Sequence, residues 1–377
     1  MKRVVTVAAD VLTCLGDLDA TWSGLLSCQS GLVFRKLNGF DNKWPLGFID
    51  GLHEPTGSNQ RLEILFDRLF RTLPNLPEKT SLICATTKGA VDELLDCRNP
   101  DSGQPWHIAG QLSERLNITG ESHTVSAACA SGTIAIVQGA MRIAAGECEN
   151  VLVVGVDLVS RFVVSGFASL KALSPKGCRP FDTGRDGLSL GEGAGWVLLS
   201  SEDNVCWTPG SMTAEVTGWG ISCDAGHITA PCRNASGLIA SLEQAAGGIR
   251  TEVGGINAHG TGTIHNDAME LLAFSKLYGS YNTPLPVCSV KGAIGHCLGS
   301  AGVIEIALSL KCLDGNVLPP TVGLVEAADG AVALAGKSPL PLLHSSILSC
   351  NSGFGGINAA VLLACQEAGE SSQLIKE

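Results

Sequence analysis

Val125-Ser126-Ala127-Ala128-Cys129-Ala130-Ser131-Gly132-Thr133 runs straight on into Ile134, Ile136, Val137, Met141 and Ile143. These apolar residues surround the whole circumference of a helix expected over Ala130–Ala145, and a helix apolar all round is a buried one. A second stretch, Val290 to Leu310, repeats the arrangement: a loop of Gly, Ala, Ser and Cys, then Val303, Ile304, Ile306, Ala307 and Leu310. Around both lie short runs apolar almost throughout, at Val4–Ala8, Ser81–Ala85, Val151–Val156, Gly195–Leu199, Ile347–Cys350 and Ala359–Ala364. Strands with both faces covered read this way. The echo predicts two similar α/β halves. The polar stretch Asp224–Ser236 is the best place to divide them, as residues 1–232 and 233–377, and the polar tail Gln366–Glu377 is expected to fray.

Composition excludes several classes. Of 377 residues, 45% are hydrophobic and 16% charged, with 46 glycines and 5% aromatics. That describes a large, closely packed core, not disorder. A net charge of −11 with no basic stretch argues against nucleic acid as a partner. The 15 cysteines lie mostly in apolar segments without Cys-x-x-Cys spacing. They read as small buried hydrophobes rather than disulfides or a zinc ribbon. Asp10, Asp17 and Asp19 interrupt the start too early for a leader, and no apolar run approaches the ~18 residues of a membrane span. The expectation is a soluble, cytoplasmic protein with no membrane contact.

Four segments carry residues fit for chemistry. Cys129 stands at the mouth of the first buried helix, where unpaired N–H groups and the dipole favour a thiolate. On context alone a core cysteine fits there too. Asn257-Ala258-His259-Gly260-Thr261-Gly262-Thr263 presents a histidine at a strand end; a histidine bonded within its own turn is the plainer alternative. His265 reads as solvent-facing or as backing the site. Lys291 and His296 sit five apart in the Gly-rich approach to the second helix. Lys291 would orient His296 or a carboxylate, or else be a surface charge. Glu305 falls inside that apolar helix and needs a partner, Lys291 or a cation. Asn351-Ser352-Gly353-Phe354-Gly355-Gly356 is a mobile aromatic or a turn of inward N–H groups, without phosphate-loop spacing. Arg179-Pro180-Phe181-Asp182 and Arg185-Asp186 suggest an ion-pair network pinning a loop.

In order along nearly the whole chain, Ala-Cys129-Ala-Ser-Gly, Arg179-Pro-Phe-Asp-x-x-Arg-Asp-Gly, His259-Gly-Thr-Gly-Thr and Lys291-Gly-x-x-Gly-His296 resemble the β-ketoacyl synthase family of fatty acid and polyketide synthesis. The resemblance implies an α/β fold, a duplicated thiolase-like α-β-α-β-α layered sandwich, usually dimeric. It implies a ping-pong Claisen condensation. Cys129 would take an acyl group from an acyl carrier protein, and a malonyl unit would lose CO2 and attack it. His259 and His296 would stabilise the developing negative charge, with His296 also helping to activate Cys129 or one histidine assisting decarboxylation through a water, roles the sequence does not separate. Lys291 and Glu305 would hold the geometry, with Thr261, Thr263 and Asn351 in support. The N–H groups of Cys129 and Phe354 would form an oxyanion hole, and Phe354 would gate the acyl pocket. No cofactor or metal is implied, since the acyl groups ride on phosphopantetheine. The partners would be the carrier protein and a second subunit, identical or ketosynthase-like. Cys-His-His resembles the elongating members.

Departures are visible. The family often reads Asn-Ser-Phe-Gly-Phe-Gly-Gly where Asn351-Ser352-Gly353-Phe354 is one residue short. Ile264 replaces a usual Pro, and Asn266-Asp267 a common Gly-Asp. These point towards a polyketide or polyene pathway. The alternative is a non-catalytic partner resembling chain-length factors, which lack the nucleophile. A thiolase is disfavoured, because Cys350-Asn351-Ser352-Gly353 does not supply the second cysteine of a Cys-x-Gly setting.

Overall fold

The computed structural model describes residues 1–37, 39–52, 60–95, 101–204, 214–247 and 252–365. The tail expected to fray lies outside them. Strand β1 (Val4–Thr13) is followed by a small ribbon of β2 (Leu32–Arg35) and β3 (Trp44–Gly47). Next come β4 (Ser81–Ala85), β5 (Ser122–Val125), β6 (Asn150–Asp157) and β7 (Gly193–Ser201). A second series follows: β8 (Ala214–Cys223), β9 (Ile256–Asn257), β10 (Pro286–Cys288), β11 (Val317–Leu318), β12 (Ala333–Leu334), β13 (Leu340–Pro341), β14 (Ser346–Gly353) and β15 (Ile357–Cys365).

The duplication expected from the two helices is written in the strand order, β12-β10-β9-β14-β15-β8-β1-β7-β6-β4-β5. Read outward from the middle, one arm is β1-β7-β6-β4-β5 and the other β8-β15-β14-β9-β10. In both arms the first two pairings are antiparallel and the next two parallel. The arms meet through β1 and β8 at the antiparallel pair Val5–Glu215. β8, the first strand of the second arm, begins at Ala214, and the polar stretch from Asp224 follows it as a loop. The apolar-run reading does not show β8 because its burial alternates.

Successive strand residues point to opposite faces, and this builds the layers. Val151 and Val153 face a central core holding Ile136, Val137 and Ile306. Leu152 and Val154 face an outer core with Leu65, Phe66 and Leu112. In the other arm Ile347 and Val361 turn to the central core while Leu348 and Leu362 turn to Leu242 and Phe274. Both faces are covered, which is why these strands are apolar throughout. The result is the expected α-β-α-β-α sandwich.

The central layer is the helix Ser131–Ala144 lying against the helix Ala301–Gly315. Glycine is the second residue of each. A Cβ on Gly132 would come 2.7 Å from Val303 N and 2.9 Å from Gly299 O. A Cβ on Gly302 would land on the backbone and hydroxyl of Thr133 and on Asn351 Oδ1. Backbone cannot yield as a side-chain tip can, so Gly302→Ala is expected to cost about 3 kcal/mol, the upper end for overpacking. The denaturant midpoint would report it; an unchanged midpoint would show that the helices have room to part.

Candidate active site

Each half delivers its chemistry where a parallel strand ends. After β5 the chain turns through Ala128, held at φ 49° in the left-handed region. The Ser131 hydroxyl fastens this turn, accepting from Ala127 N at 2.8 Å and donating to Ala128 O at 2.6 Å. Cys129 thus stands immediately before its helix, buried. After β10, His296 is followed by Leu298, another left-handed residue at φ 54°. Strained non-glycine backbone of this kind persists where surroundings over-determine it and gathers at functional sites. The two turns bring His296 Nε2 to 3.0 Å from Cys129 Sγ. The His259 ring stands edge-on to that of His296, centroids 5.2 Å apart. Sγ and one ring nitrogen of each histidine lie within 4.8 Å of one another.

The hydrogen bonds at Nδ1 assign both imidazoles. Leu298 N–H donates to His296 Nδ1 at 3.3 Å. The Asn351 amide donates to His259 Nδ1 at 3.0 Å and to Glu305 Oε2 at 2.7 Å, while its oxygen accepts from the Thr133 hydroxyl. Each Nδ1 is an acceptor, so in the neutral rings each Nε2 carries the hydrogen. Burial first, then the positive charge of Lys291, holds both histidine pKa values well below the usual value, and His296 adds to the effect on His259. Both are neutral donors at physiological pH.

Lys291 forms an ion pair with Glu305, each side chain 1% exposed. Of the two partners considered for Lys291, the carboxylate is the one it meets. Burial works against the lysine's charge, but Glu305 more than offsets this and raises its pKa. Burial pushes the Cys129 thiol up to about 12, opposed by Lys291 and by the backbone N–H of Phe354. Burial thus outweighs the helix-mouth effect that was expected to favour a thiolate, and the resting sulfur is a thiol.

A cavity of about 420 Å³ opens onto the cluster, with Cys129, His259 and His296 in its lining. Thr261 and Thr263, their hydroxyls 2.9 Å apart, line it as well, and exposed His265 joins them. Phe354 sits in the turn between β14 and β15, its ring stacked on Phe167 with centroids 5.6 Å apart. Gly353 pairs with Ile357 across that hairpin, at the base of the turn that carries Phe354. Of the expected ion pairs the loop carries Arg179–Asp182 at 2.6 Å; Arg185 instead donates to the backbone carbonyls of Asp182 and Ile264, and Asp186 meets Lys176 at 3.7 Å.

Several contributors went unread in the sequence. Asp267 accepts from the N–H groups of Phe181, Thr261 and Gly262, and Glu270 from those of His259 and Gly260 at 2.8 and 2.7 Å. Together they hold the His259 loop from behind. Glu270 is pushed up to about 8 by burial and by Asp267 beside it. Asp157 ties Thr86 and Thr87 to Gly299 N, next to the His296 turn. The available signal was two acids three apart on one helix face just past a Gly-rich turn.

The β-ketoacyl synthase N-terminal domain matches residues 85–204, and the C-terminal domain of the same family matches 213–325. The chain belongs to the β-ketoacyl synthase family. Cys129 falls in the first match and His259, Lys291, His296 and Glu305 in the second, whereas Asn351 and Phe354 lie beyond it. A 3-oxoacyl-[acyl-carrier-protein] synthase 2 of Vibrio cholerae is 34% identical over 407 residues, covering 96% of this chain and 98% of that one. The same-named protein of Rhizobium meliloti is 36% identical over 267 residues, 68% of this chain, and the match spans only 63% of that relative's length. Among solved structures, a β-ketoacyl synthase of Burkholderia phymatum is 25% identical with a TM-score of 0.80, covering 97% of this chain and all of that one. A chain of the ketosynthase complex with its chain length factor from Xenorhabdus doucetiae is 26% identical, covering 97% and 98%, also with a TM-score of 0.80. Among the described residues no helix is long and apolar enough to cross a membrane.

Proposed function

We propose that the chain is an elongating β-ketoacyl synthase that condenses a Cys129-bound acyl group with a malonyl unit held on an acyl carrier protein. The observation that carries this reading is the Cys129 thiol with two neutral Nε2–H donors beside it, at a cavity of about 420 Å³. In the first half-reaction the Cys129 sulfur attacks the incoming thioester. A new S–C bond forms, the carrier's C–S bond breaks, and the thiol proton ends on the carrier's sulfur. The N–H groups of Cys129 and Phe354 receive the oxyanion.

In the second half-reaction the malonyl C–C bond to its carboxylate breaks and CO2 leaves. The electron pair passes into an enolate whose oxygen His259 and His296 stabilise through Nε2–H. The enolate carbon attacks the acyl carbon, the bond to Cys129 breaks, and the sulfur regains a proton from solvent. Lys291 and Glu305 hold the His259 imidazole in place through Asn351, and the Leu298 N–H holds that of His296. Thr261 and Thr263 line the arm's path, and Phe354, stacked on Phe167, gates the acyl pocket. No cofactor or metal enters a step. The protein works in the cytoplasm as a dimer, with an identical or a ketosynthase-like partner. A non-catalytic partner would have no use for a nucleophile and two oriented donors.

The test is intact mass after incubation with a panel of acyl carrier protein thioesters. An acyl-sized gain that disappears in Cys129→Ala is the expected result. Folded protein that gains no mass from any donor would overturn the reading.

A further inference from the structure

The β2–β3 ribbon has two unlike strands. β3 is buried throughout, and its Trp44 and Leu46 pack with Leu188, which also lines the active-site cavity. β2 turns outward: Val33 and Phe34 are 46% and 59% exposed, and among the described residues no strand pairs with its outer edge. A bare apolar edge strand is a template for a partner. Positive charge surrounds these two side chains. Register sets Arg35 opposite Trp44, so exposed Lys36 and Lys43 stand together at that end. Phe34 lies opposite Pro45, and a Cβ on Gly177, next to Lys176, would lie 4.0 Å from Pro45 Cγ. Exposed Arg161 reaches the turn of the ribbon, where a Cβ on Gly39 would lie 3.2 Å from its Nη2. Arg35, Lys36, Lys43, Arg161 and Lys176 thus ring Val33 and Phe34 in a chain of net charge −11. The acids beside them are loosely paired, Asp41 with Lys36 at 3.9 Å and Asp186 with Lys176 at 3.7 Å. Exposed pairs of this kind hold their partners weakly.

We infer that the outer face of this ribbon is where the body of the carrier protein docks, through an acidic surface with an apolar residue that covers Phe34. The inference rests on the condensing reading above and adds where the carrier sits. An arm that enters the cavity keeps the body it is attached to at the mouth, so the surface beside the mouth is what that body covers. The ribbon adjoins the mouth twice. Leu188 lies beneath it and lines the cavity. Lys176 pairs with Asp186, which lines the cavity as well. The Ser174 hydroxyl, bonded to Asp186 and to the N–H groups of Lys176 and Gly177, fixes the strip between ribbon and mouth. Charge then selects the partner. The chain as a whole repels an acidic protein, and a local ring of cations draws one in at a single place and orientation. The apolar centre supplies residence: an exposed aromatic ringed by polar side chains has the anatomy of an interface hot spot. A second copy of this chain fits the face poorly. Across a two-fold axis the same patch meets itself, and the cations would face their own kind.

The test gives the whole chain one acyl group in two forms, on the carrier protein that loads wild-type Cys129 best and on free pantetheine, and follows loading by intact mass across substrate concentration. Phe34→Ser is expected to raise the KM for the carrier-bound acyl group about 10-fold, as truncation of an interface anchor does. Lys36→Glu with Lys43→Glu is expected to raise it by a similar factor. Loading from pantetheine should be unchanged in both, because the ribbon's outer face touches nothing that the arm touches. Added salt should weaken loading of the wild type and of Phe34→Ser from the carrier, and weaken that of the charge-reversed variant far less. All the substituted side chains are exposed; if Phe34→Ser does not fold, the charge-reversed variant decides. Wild-type KM for the carrier in both folded variants, or equal losses with carrier and pantetheine, would overturn the inference. So would a change in the mass of the assembly by light scattering in Phe34→Ser, which would assign the ribbon to the second subunit. A wild type that loads from pantetheine and from no carrier would overturn the docking and leave the nucleophile standing. One that loads from neither would overturn the condensing reading itself.

Discussion

Replacing His259 by alanine is expected to lower condensation about 10²–10³-fold and to leave acyl loading of Cys129 within a few-fold of wild type. The separation follows from geometry. His296 bonds the sulfur, at 3.0 Å, while His259 is held by Asn351 and stands as the second N–H beside the point where negative charge develops. Loading engages the sulfur and backbone N–H groups, whereas enolate formation needs both imidazoles. Since both rings stay neutral well below the usual histidine pKa, the wild-type condensation rate should show no histidine titration between about pH 7 and pH 6. Unperturbed imidazoles would lose their neutral form across that window. The measurements are single-turnover loading by mass and malonyl decarboxylation by CO2 release, across pH. Equal losses in loading and condensation would mean that His259 supports the nucleophile, and the two histidines would then have to share one role.

How much of this was legible depends on what a residue's burial does to its neighbours in sequence. The long strands and the two central helices were visible because burial on every side leaves no polar periodicity to hide them. Strands β9 and β10, two and three residues long, carry too few positions for any pattern, and β8 shows an alternation that reads as surface. Glu305 could be flagged as needing a cation, because a carboxylate in an otherwise apolar helix has few alternatives, and Lys291 was near enough in sequence to name. Asp267 and Glu270 were not legible in the same way. Their partners are backbone N–H groups, which every residue has and no residue type advertises. Cys129 could not be chosen among 15 cysteines by its context; the ordered set of motifs singled it out. The histidine tautomers lay beyond sequence altogether, since they depend on the turn that aims the Leu298 N–H at His296 and on which way the Asn351 amide faces His259.

Lys291→Met is expected to destabilise the fold by about 3–5 kcal/mol, the usual consequence of leaving one member of a buried ion pair alone. Lys291 and Glu305 are each 1% exposed, so no water is at hand to solvate the carboxylate that remains. The remaining group settles the sign of the pH dependence. Burial already pushes the Glu305 carboxyl up, and Lys291 is the main cause opposing it. Without the lysine the folded carboxyl pKa rises further above its unfolded value of about 4.3. The folded variant then holds a proton that the unfolded chain releases, so its stability is greatest at low pH and falls as pH rises past the unfolded pKa. The gap between variant and wild type should therefore be small near pH 5 and large near pH 8, in urea unfolding at each pH. Adding Glu305→Gln removes the buried charge and should recover much of the loss at pH 8, yet it cannot restore condensation. A neutral amide in place of the Glu305 carboxylate no longer dictates the direction of the Asn351 amide, and the lysine charge that helps keep both imidazoles neutral is gone. A variant whose deficit is under about 1 kcal/mol and independent of pH would place Lys291 among exposed pairs of little consequence, and the chain of control from Lys291 through Glu305 and Asn351 to His259 would fail at its first link.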